Sequence, residues 1–189
     1  MKVIQLHQEE KQLIMLAVEN NRQAQQQIYA KFSSKMLSVC RQYIKDIHHA
    51  EDVMITGFMK VFTNLKNFEH KGSFEGWIRR IMVYECIDFL RVKKNNVNHK
   101  DIEDITVSEN ESVYEMEDFS VDDIQNMIDN LPDGYKMVFN LYAIEGYKHQ
   151  EIAEMLKISE GTSKSQLSHA RKLLQQQITD LKNKLNGTK

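Results

Sequence analysis

The chain has 189 residues, of which 41% are hydrophobic and 28% charged, an ordinary composition for a globular protein. No apolar run approaches the roughly 18 residues that span a bilayer, and the N-terminus has no secretory leader pattern. Cys40 and Cys86 lie far apart in helical patterns and do not have the spacing of metal ligands, which favours buried free thiols. We therefore expect a cytoplasmic protein with no metal and no cofactor.

The net charge of -2 conceals an uneven distribution along the chain. Residues 1–100 carry 16 basic and 10 acidic side chains, and residues 131–189 carry 9 basic and 6 acidic ones. Between them, residues 101–130 carry 11 acidic side chains and no basic one. Two mildly basic blocks thus flank an acidic strip, a pattern that indicates nucleic-acid contact by the two blocks.

The fold class follows from the scarcity of helix breakers. The chain contains one proline and seven glycines, and it has no alternating Val/Ile/Thr-rich run. Apolar residues instead recur at spacings of three and four. We therefore predict an all-α protein with two small helical domains, residues 1–95 and 121–189, joined by an acidic flexible linker at residues 96–120.

The first block is predicted to form four helices, at residues 9–19, 21–46, 48–66 and 73–93. Ser73 is a suitable N-cap for the fourth helix. The expected core side chains of the second and third helices are Ala24, Ile28, Phe32, Leu37, Cys40, Tyr43, Ile44, Ala50, Val53, Met54, Phe58, Val61, Phe62 and Leu65. Those of the fourth are Phe74, Trp77, Ile78, Ile81 and Leu90.

The last block is predicted to form helices at 121–130, 133–144, 148–156 and 160–185, with Pro132 ending the first of them and Ser159 as the N-cap of the last. The helix at 148–156, the break at 157–159 and the helix that follows have the dimensions of a helix-turn-helix. The second of these helices exposes donor-rich side chains suited to bases and phosphates. The pattern alone also fits a helical hairpin with a solvated polar face.

The same segment resembles region four of the sigma factors of bacterial RNA polymerase. Residues 145–172, EGYKHQEIAEMLKISEGTSKSQLSHARK, follow the family's usual run EGLSYEEIAEILGISVGTVKSRLHRARK, and Leu131-Pro132 precede them as in the family. The N-terminal block resembles region two, through AEDV at 50–53, FEHKGSFEGWI at 68–78 and IDFLR at 87–91. The sequence has no room for the region-one and region-three domains of larger sigma factors. In this respect it resembles the extracytoplasmic-function (ECF) group.

The resemblance implies an alternative sigma factor that binds core RNA polymerase and directs it to particular promoters. Region four would contact the β flap and read the minus-thirty-five element. Its DNA-binding residues would be Glu160, Thr162, Lys164, Ser165, Gln166, His169, Arg171 and Lys172. Region two would bind the β′ clamp helices through Glu51, Asp52, Ile55, Thr56 and Met59. It would recognise and melt the minus-ten element through Asn67, Phe68, His70, Lys71, Arg79, Arg80 and Tyr84.

The same resemblance implies further partners, and the chain also differs from the family's pattern at several positions. Many relatives are held inactive by an anti-sigma factor, and the acidic linker would thread into the polymerase channel. The protein is expected to be a monomer outside the holoenzyme. Ile55-Thr56 replace a usual Gln-Glu or Gln-Asp pair, which suggests a more apolar polymerase contact. Gln166, Ser168 and His169 replace common Arg, His and Arg residues, so the promoter preference cannot be carried over.

The sequence is also compatible with two other interpretations. A polymerase-independent helix-turn-helix regulator would need a dimer seam, for which Leu167, Leu174, Leu181 and Leu185 are candidates. A helical interaction protein would leave the donors of the last helix unexplained. An enzyme is not expected, since the chain has no HExxH motif, glycine-rich phosphate loop or nucleophile elbow.

Overall fold

The computed structural model describes residues 2–96 and 119–186, and these form α-helices with no β-strand among them. The helices are α1 (Lys2–Val18), α2 (Arg22–Tyr43), α3 (Ile47–Asn64), α4 (Phe74–Asn96), α5 (Val121–Asp129), α6 (Asp133–Phe139), α7 (His149–Leu156) and α8 (Glu160–Asn186). A 3-10 turn, Leu65–Asn67, follows α3, and a π-helical segment, Asn140–Ile144, follows α6. The all-α prediction is confirmed.

Residue contacts divide the chain into two compact units, Met1–Phe89 and Leu90–Lys189. The two-domain layout is therefore confirmed. The domain bounds 1–95 and 121–189 stay predictions, and all but the edges of the predicted linker lie outside the described residues.

In the first unit, α1 packs on α2 and α2 packs on α3. Helix α4 closes the core, since the Phe32 and Phe74 rings meet edge to face at 5.7 Å between centroids. The fully buried side chains include Ile28, Met36, Val39, Cys40, Tyr43, Val61, Leu65, Phe74, Ile78, Met82, Val83 and Cys86. Burial of each large side chain of this kind contributes about 1.5–3 kcal/mol, so this continuous apolar interior is what holds the four helices together.

Side-chain caps fix where the helices of the first unit begin. The Asn21 side chain accepts the Ala24 amide at 3.1 Å, and Asp46 accepts the His49 amide at 3.0 Å. Ser73 accepts the Gly76 amide at 3.0 Å, which confirms its prediction as the cap of α4. Each cap satisfies an amide that the helix itself leaves without a partner, a contribution of about 1 kcal/mol.

In the second unit, α5, α6 and α7 all pack against the long helix α8. Its core includes Met127, Ile128, Leu131, Val138, Leu141, Ile152, Met155, Leu167 and Ala170. Ser120 and Asp123 form a reciprocal capping box at the start of α5, where each side chain bonds the other residue's amide at 3.1 Å. The hydrogen bond from the Ser120 hydroxyl to its carboxylate lowers the pKa of Asp123.

Three details differ from the expectation. Helix α1 begins at Lys2 rather than at residue 9, because no proline or glycine interrupts the chain before that point. On α2, Met36 is fully buried and Leu37 only half-buried, so Met36 takes the single core position that was assigned to Leu37. The predicted helix at 133–144 changes to π-helical geometry at Asn140.

Candidate polymerase and nucleic-acid interfaces

The outward face of α3 carries the residues predicted to bind the polymerase. Asp52, Ile55, Thr56 and Met59 are all exposed, and Glu51 is half-buried. Ile55 and Met59 keep 50% and 66% of their surface accessible, which is high for apolar side chains on a helix whose other face is core. The structure thus brings these five residues together on one helical surface, with two apolar side chains in it.

Two features hold that face of α3 in place. The buried face of the helix meets α4 at Gly57, where a Cβ atom would overlap the Met82 side chain. At the N-terminus, the hydrogen bond from the His49 amide lowers the pKa of the Asp46 carboxyl, with smaller contributions from the His48 and His49 side chains. A charged cap is favoured there because the helix N-terminus carries partial positive charge.

The segment between α3 and α4 holds the first group of predicted minus-ten residues. Asn67, His70 and Lys71 are exposed, and Lys71 pairs with Glu69 at 2.6 Å. His70 has a backbone φ of +56°, in the left-handed region, and its ring meets the edge of Phe68 at 4.8 Å. The His70 imidazole is therefore exposed at the surface and packs against the Phe68 ring.

Phe68 itself is buried, with 8% of its surface accessible. Its ring contacts Phe74 at 5.1 Å and Trp77 at 5.5 Å between centroids. Trp77, predicted as core, is half-buried and stacks on Phe74 at 5.9 Å. Phe68 therefore supports the surface residue His70 from below, while its own predicted DNA contact would require the ring to leave this cluster.

The second group of minus-ten residues lies on α4. Arg79 is half-buried, Arg80 is exposed, and Tyr84 keeps 36% of its surface accessible. The Arg80 guanidinium lies 5.9 Å from the centroid of the Tyr84 ring, a cation–π contact one turn along the helix. Cationic and aromatic groups are thus paired on one surface, an arrangement that suits an unpaired nucleic-acid strand.

Helices α7 and α8 form the predicted helix-turn-helix. Ser159 caps α8 by accepting the Thr162 amide at 2.9 Å, as predicted, and Glu151 accepts the Lys148 amide at 2.8 Å at the start of α7. The turn passes through Lys157, which adopts a left-handed conformation with φ of +56°. The two helices pack against each other, and Ile152 of α7 and Ser163 of α8 are fully buried.

The predicted DNA-binding residues of α8 fall into two sets. Glu160, Lys164, Ser165 and Arg171 are exposed, whereas Thr162, Gln166, His169 and Lys172 are half-buried. The His169 ring stacks on Tyr135 of α6 at 5.4 Å. The Lys164 ammonium bonds Glu160 at 2.6 Å and thereby lowers the pKa of that carboxyl. The exposed set forms the surface available to a duplex, and two members of the half-buried set, Gln166 and His169, lie against α6.

Sequence reasoning missed one aromatic residue beside this surface. Tyr142, in the π-helical segment, stacks on the His149 ring at 4.6 Å and lies under the Arg171 guanidinium at 5.7 Å. A helical period assigns Tyr142 no special place, because the period does not show where a π-helical turn rotates the side chains.

Further observations concern metal ligands, membrane spans and a dimer seam. The described residues contain no group of three or more His, Cys, Asp or Glu side chains that could hold a metal, and Cys40 and Cys86 are buried free thiols. Among the same residues, no helix has the length and apolarity needed to cross a bilayer. Leu167 has only 4% of its surface accessible, so it contributes to the domain core rather than to a dimer seam.

Two family models of known proteins match this chain, one in each half. The family model for Sigma-70 region 2 matches residues 28–96, and that for Sigma-70 region 4 matches residues 121–174, which together make up more than half of the chain.

Individual relatives extend over most of the same residues. The ECF RNA polymerase sigma factor SigW of Bacillus subtilis is 29% identical and the match covers 79% of this chain and 86% of SigW. The ECF RNA polymerase sigma-E factor of Haemophilus influenzae is 24% identical over 82% of this chain and 87% of that protein.

Among solved structures, the sigma factor RpoE of Bartonella quintana, crystallised with the anti-sigma factor NepR, has a similar fold. Its TM-score is 0.54 at 19% identity, over 82% of this chain and 96% of that one.

Proposed function

Because the chain belongs to the ECF group of the sigma-70 family, whose members direct transcription initiation, we propose that it binds core RNA polymerase through α3 and reads promoter DNA through α4 and α8. The observation that carries this proposal is the exposed surface of α3 in a chain that also holds a helix-turn-helix. A DNA-binding regulator acting alone has no need of an apolar surface on a separate unit.

The polymerase contact is assigned to Glu51, Asp52, Ile55, Thr56 and Met59, facing the β′ clamp helices. Protein interfaces are commonly apolar at the centre and polar at the rim, and methionine is enriched in them relative to the rest of the surface. The presence of Ile55 and Met59 therefore supports a contact that depends on apolar burial more than on charge.

The DNA contacts are assigned to two surfaces. Residues 1–95 act as region two, in which His70, Arg79, Arg80 and Tyr84 meet the minus-ten strand. Residues 121–189 act as region four, in which the exposed set on α8 meets the minus-thirty-five duplex and the domain also contacts the β flap. Residues 96–120 link the two domains.

The remaining assignments follow from this role. The protein has no catalytic activity of its own, since the polymerase performs the chemistry, and it acts in the cytoplasm as one copy per holoenzyme. Its other partner is an anti-sigma factor, as the Bartonella quintana relative has in NepR. An anti-sigma factor would act by covering the surfaces that the polymerase needs.

Run-off transcription tests this function. Core polymerase would be supplied with fragments of the genome that encodes the protein, with and without the added chain. The proposal requires discrete transcripts that start at defined positions only when the chain is present. Transcription that is identical in the two reactions would contradict it.

A further inference from the structure

Four side chains form a continuous contact path that starts and ends on α8. The Arg171 guanidinium lies 5.7 Å from the Tyr142 ring centroid, and Tyr142 stacks on His149 at 4.6 Å with 22° between the rings. The His149 Nδ1 atom and the Ser163 hydroxyl are 2.9 Å apart, within hydrogen-bond distance. Three separate elements, the π-helical segment, α7 and α8, are thereby tied together.

The two ends of this path differ in exposure. Ser163 is completely buried between α7 and α8, whereas Arg171 is exposed two turns further along α8. Tyr142 retains 37% of its surface, so one part of its ring faces solvent beside Arg171. The path therefore connects a fixed buried anchor to a cationic group at the surface.

The buried end of the path, the His149–Ser163 pair, differs from the sigma-factor run quoted above. Aligned on the shared EG and ARK residues, His149 stands where the family's run has tyrosine, and Ser163 stands where it has valine. A tyrosine and a valine, which has no hydrogen-bonding group in its side chain, are thus replaced by two polar side chains that lie within hydrogen-bond distance of each other. A buried hydroxyl needs such a partner, because leaving it without one costs free energy.

We propose that Tyr142 and His149 are positioning residues that hold the Arg171 guanidinium for one backbone phosphate of the promoter duplex. The inference rests on the proposed function and extends it to residues outside the predicted DNA-binding set. An aromatic platform reduces the freedom of a long cationic side chain, so less ordering remains to be done when the phosphate binds. The π-helical turn is the feature that presents Tyr142 to Arg171.

The test uses holoenzyme reconstituted from core polymerase and the full chain, with duplex DNA that the wild-type holoenzyme retains from a random library. Affinity is measured across a salt series for wild type, Tyr142→Leu, Arg171→Ala and the double variant. Tyr142→Phe, which keeps the ring, is the matched control. Failure of the wild type to form holoenzyme or to select any sequence would overturn the proposed function itself, before the variants are compared.

With a functioning wild type, Arg171→Ala should lower the slope of log affinity against log salt by about 0.9, the value for one phosphate contact. Tyr142→Leu should weaken binding about two- to fivefold and lower the slope in the same direction, and it should add nothing in the Arg171→Ala background. Equal losses in both backgrounds, or an Arg171→Ala variant with an unchanged slope, would overturn the inference.

A second set of variants tests the role of the His149–Ser163 pair, even if Tyr142→Leu does not fold. Ser163→Val alone removes the partner of His149 and should weaken DNA binding to a similar degree. Adding His149→Tyr restores the tyrosine and valine of the family's run and should bring the affinity back to within about twofold of wild type. Unchanged affinity in Ser163→Val, or no recovery in the double variant, counts against a positioning role.

Discussion

Ile55 and Met59 lie one helical turn apart on α3, with 50% and 66% of their surfaces accessible, on the side of the helix opposite the core. Their separation of four residues places them side by side, so they form a single apolar patch. Asp52 and Thr56 border this patch, and the Thr56 hydroxyl donates to the Asp52 carbonyl at 2.9 Å. A patch with this composition suits a protein partner more than it suits DNA.

Replacing Met59 with glutamate should weaken core polymerase binding at least tenfold, about 1.4 kcal/mol, because a charge would be desolvated at the centre of the contact. Met15→Glu is the matched control, since Met15 is 65% exposed on α1, away from the proposed surface. A fluorescence titration with core polymerase measures both variants, and circular dichroism checks the fold. Equal affinity of the two folded variants would argue against α3 as the contact surface.

Removing both arginines of α4, Arg79→Ala with Arg80→Ala, should slow promoter opening and make its rate less dependent on salt. Two lost contacts to a single strand would reduce the slope against log salt by about 1.4, because fewer counterions are released. The comparison variant is Lys31→Ala with Lys35→Ala, which removes two exposed cations from α2. The measurement is the rate of promoter opening over a salt series. Identical slopes for the arginine and lysine double variants would contradict the assignment.

Lys157 occupies a left-handed turn position at which the family's run has glycine. Lys157→Gly should therefore raise the free energy of unfolding of the second unit by about 1 kcal/mol, because glycine adopts a positive φ without steric cost. Lys157→Ala keeps the Cβ atom and should give no such gain. Thermal melts of the two variants, compared with wild type, measure the difference. A gain from alanine equal to that from glycine would show that backbone strain is not the cause.

The Asp46 cap should make the first unit sensitive to acid. Its folded-state pKa lies below the ordinary value of 3.8, so its contribution to stability is present above that value and is lost as the pH falls further. Asp46→Ser keeps an acceptor for the His49 amide but does not titrate. Urea unfolding between about pH 5 and about pH 3 should show a shallower loss of stability in this variant. Asp52→Ser, on the same helix but outside the cap, serves as control, and parallel loss in wild type and Asp46→Ser would contradict the expectation.

Much of the fold could be predicted because the helices are amphipathic and their ends carry recognisable caps. Ser73 and Ser159 both cap the helices that the sequence indicated. The helix-turn-helix was equally accessible, since a short apolar period, a three-residue break and a second period determine its dimensions. The exposed face of α3 followed from the same reasoning, because Ile55 and Met59 fall outside the core stripe.

The features that sequence reasoning missed depend on contacts between distant residues. Nothing in the local pattern shows that Phe68 is enclosed by Phe74 and Trp77, since any loop phenylalanine could be exposed or buried. The stack of Tyr142 on His149 depends on a π-helical turn, which cannot be predicted from residue type. The assignment of Leu37 to the core of α2 was an error of a different kind, because Met36 fits the four-residue spacing from Phe32 to Cys40 and Leu37 does not.

The most direct test of the central claim is co-elution of the purified chain with bacterial core RNA polymerase on size exclusion at moderate salt, with the stoichiometry measured by light scattering. We expect one copy of the chain in each polymerase complex, and free protein that elutes as a monomer. A folded, monomeric chain that elutes apart from the polymerase would contradict the assignment of α3 as a polymerase-binding surface and, with it, the proposed role in transcription initiation.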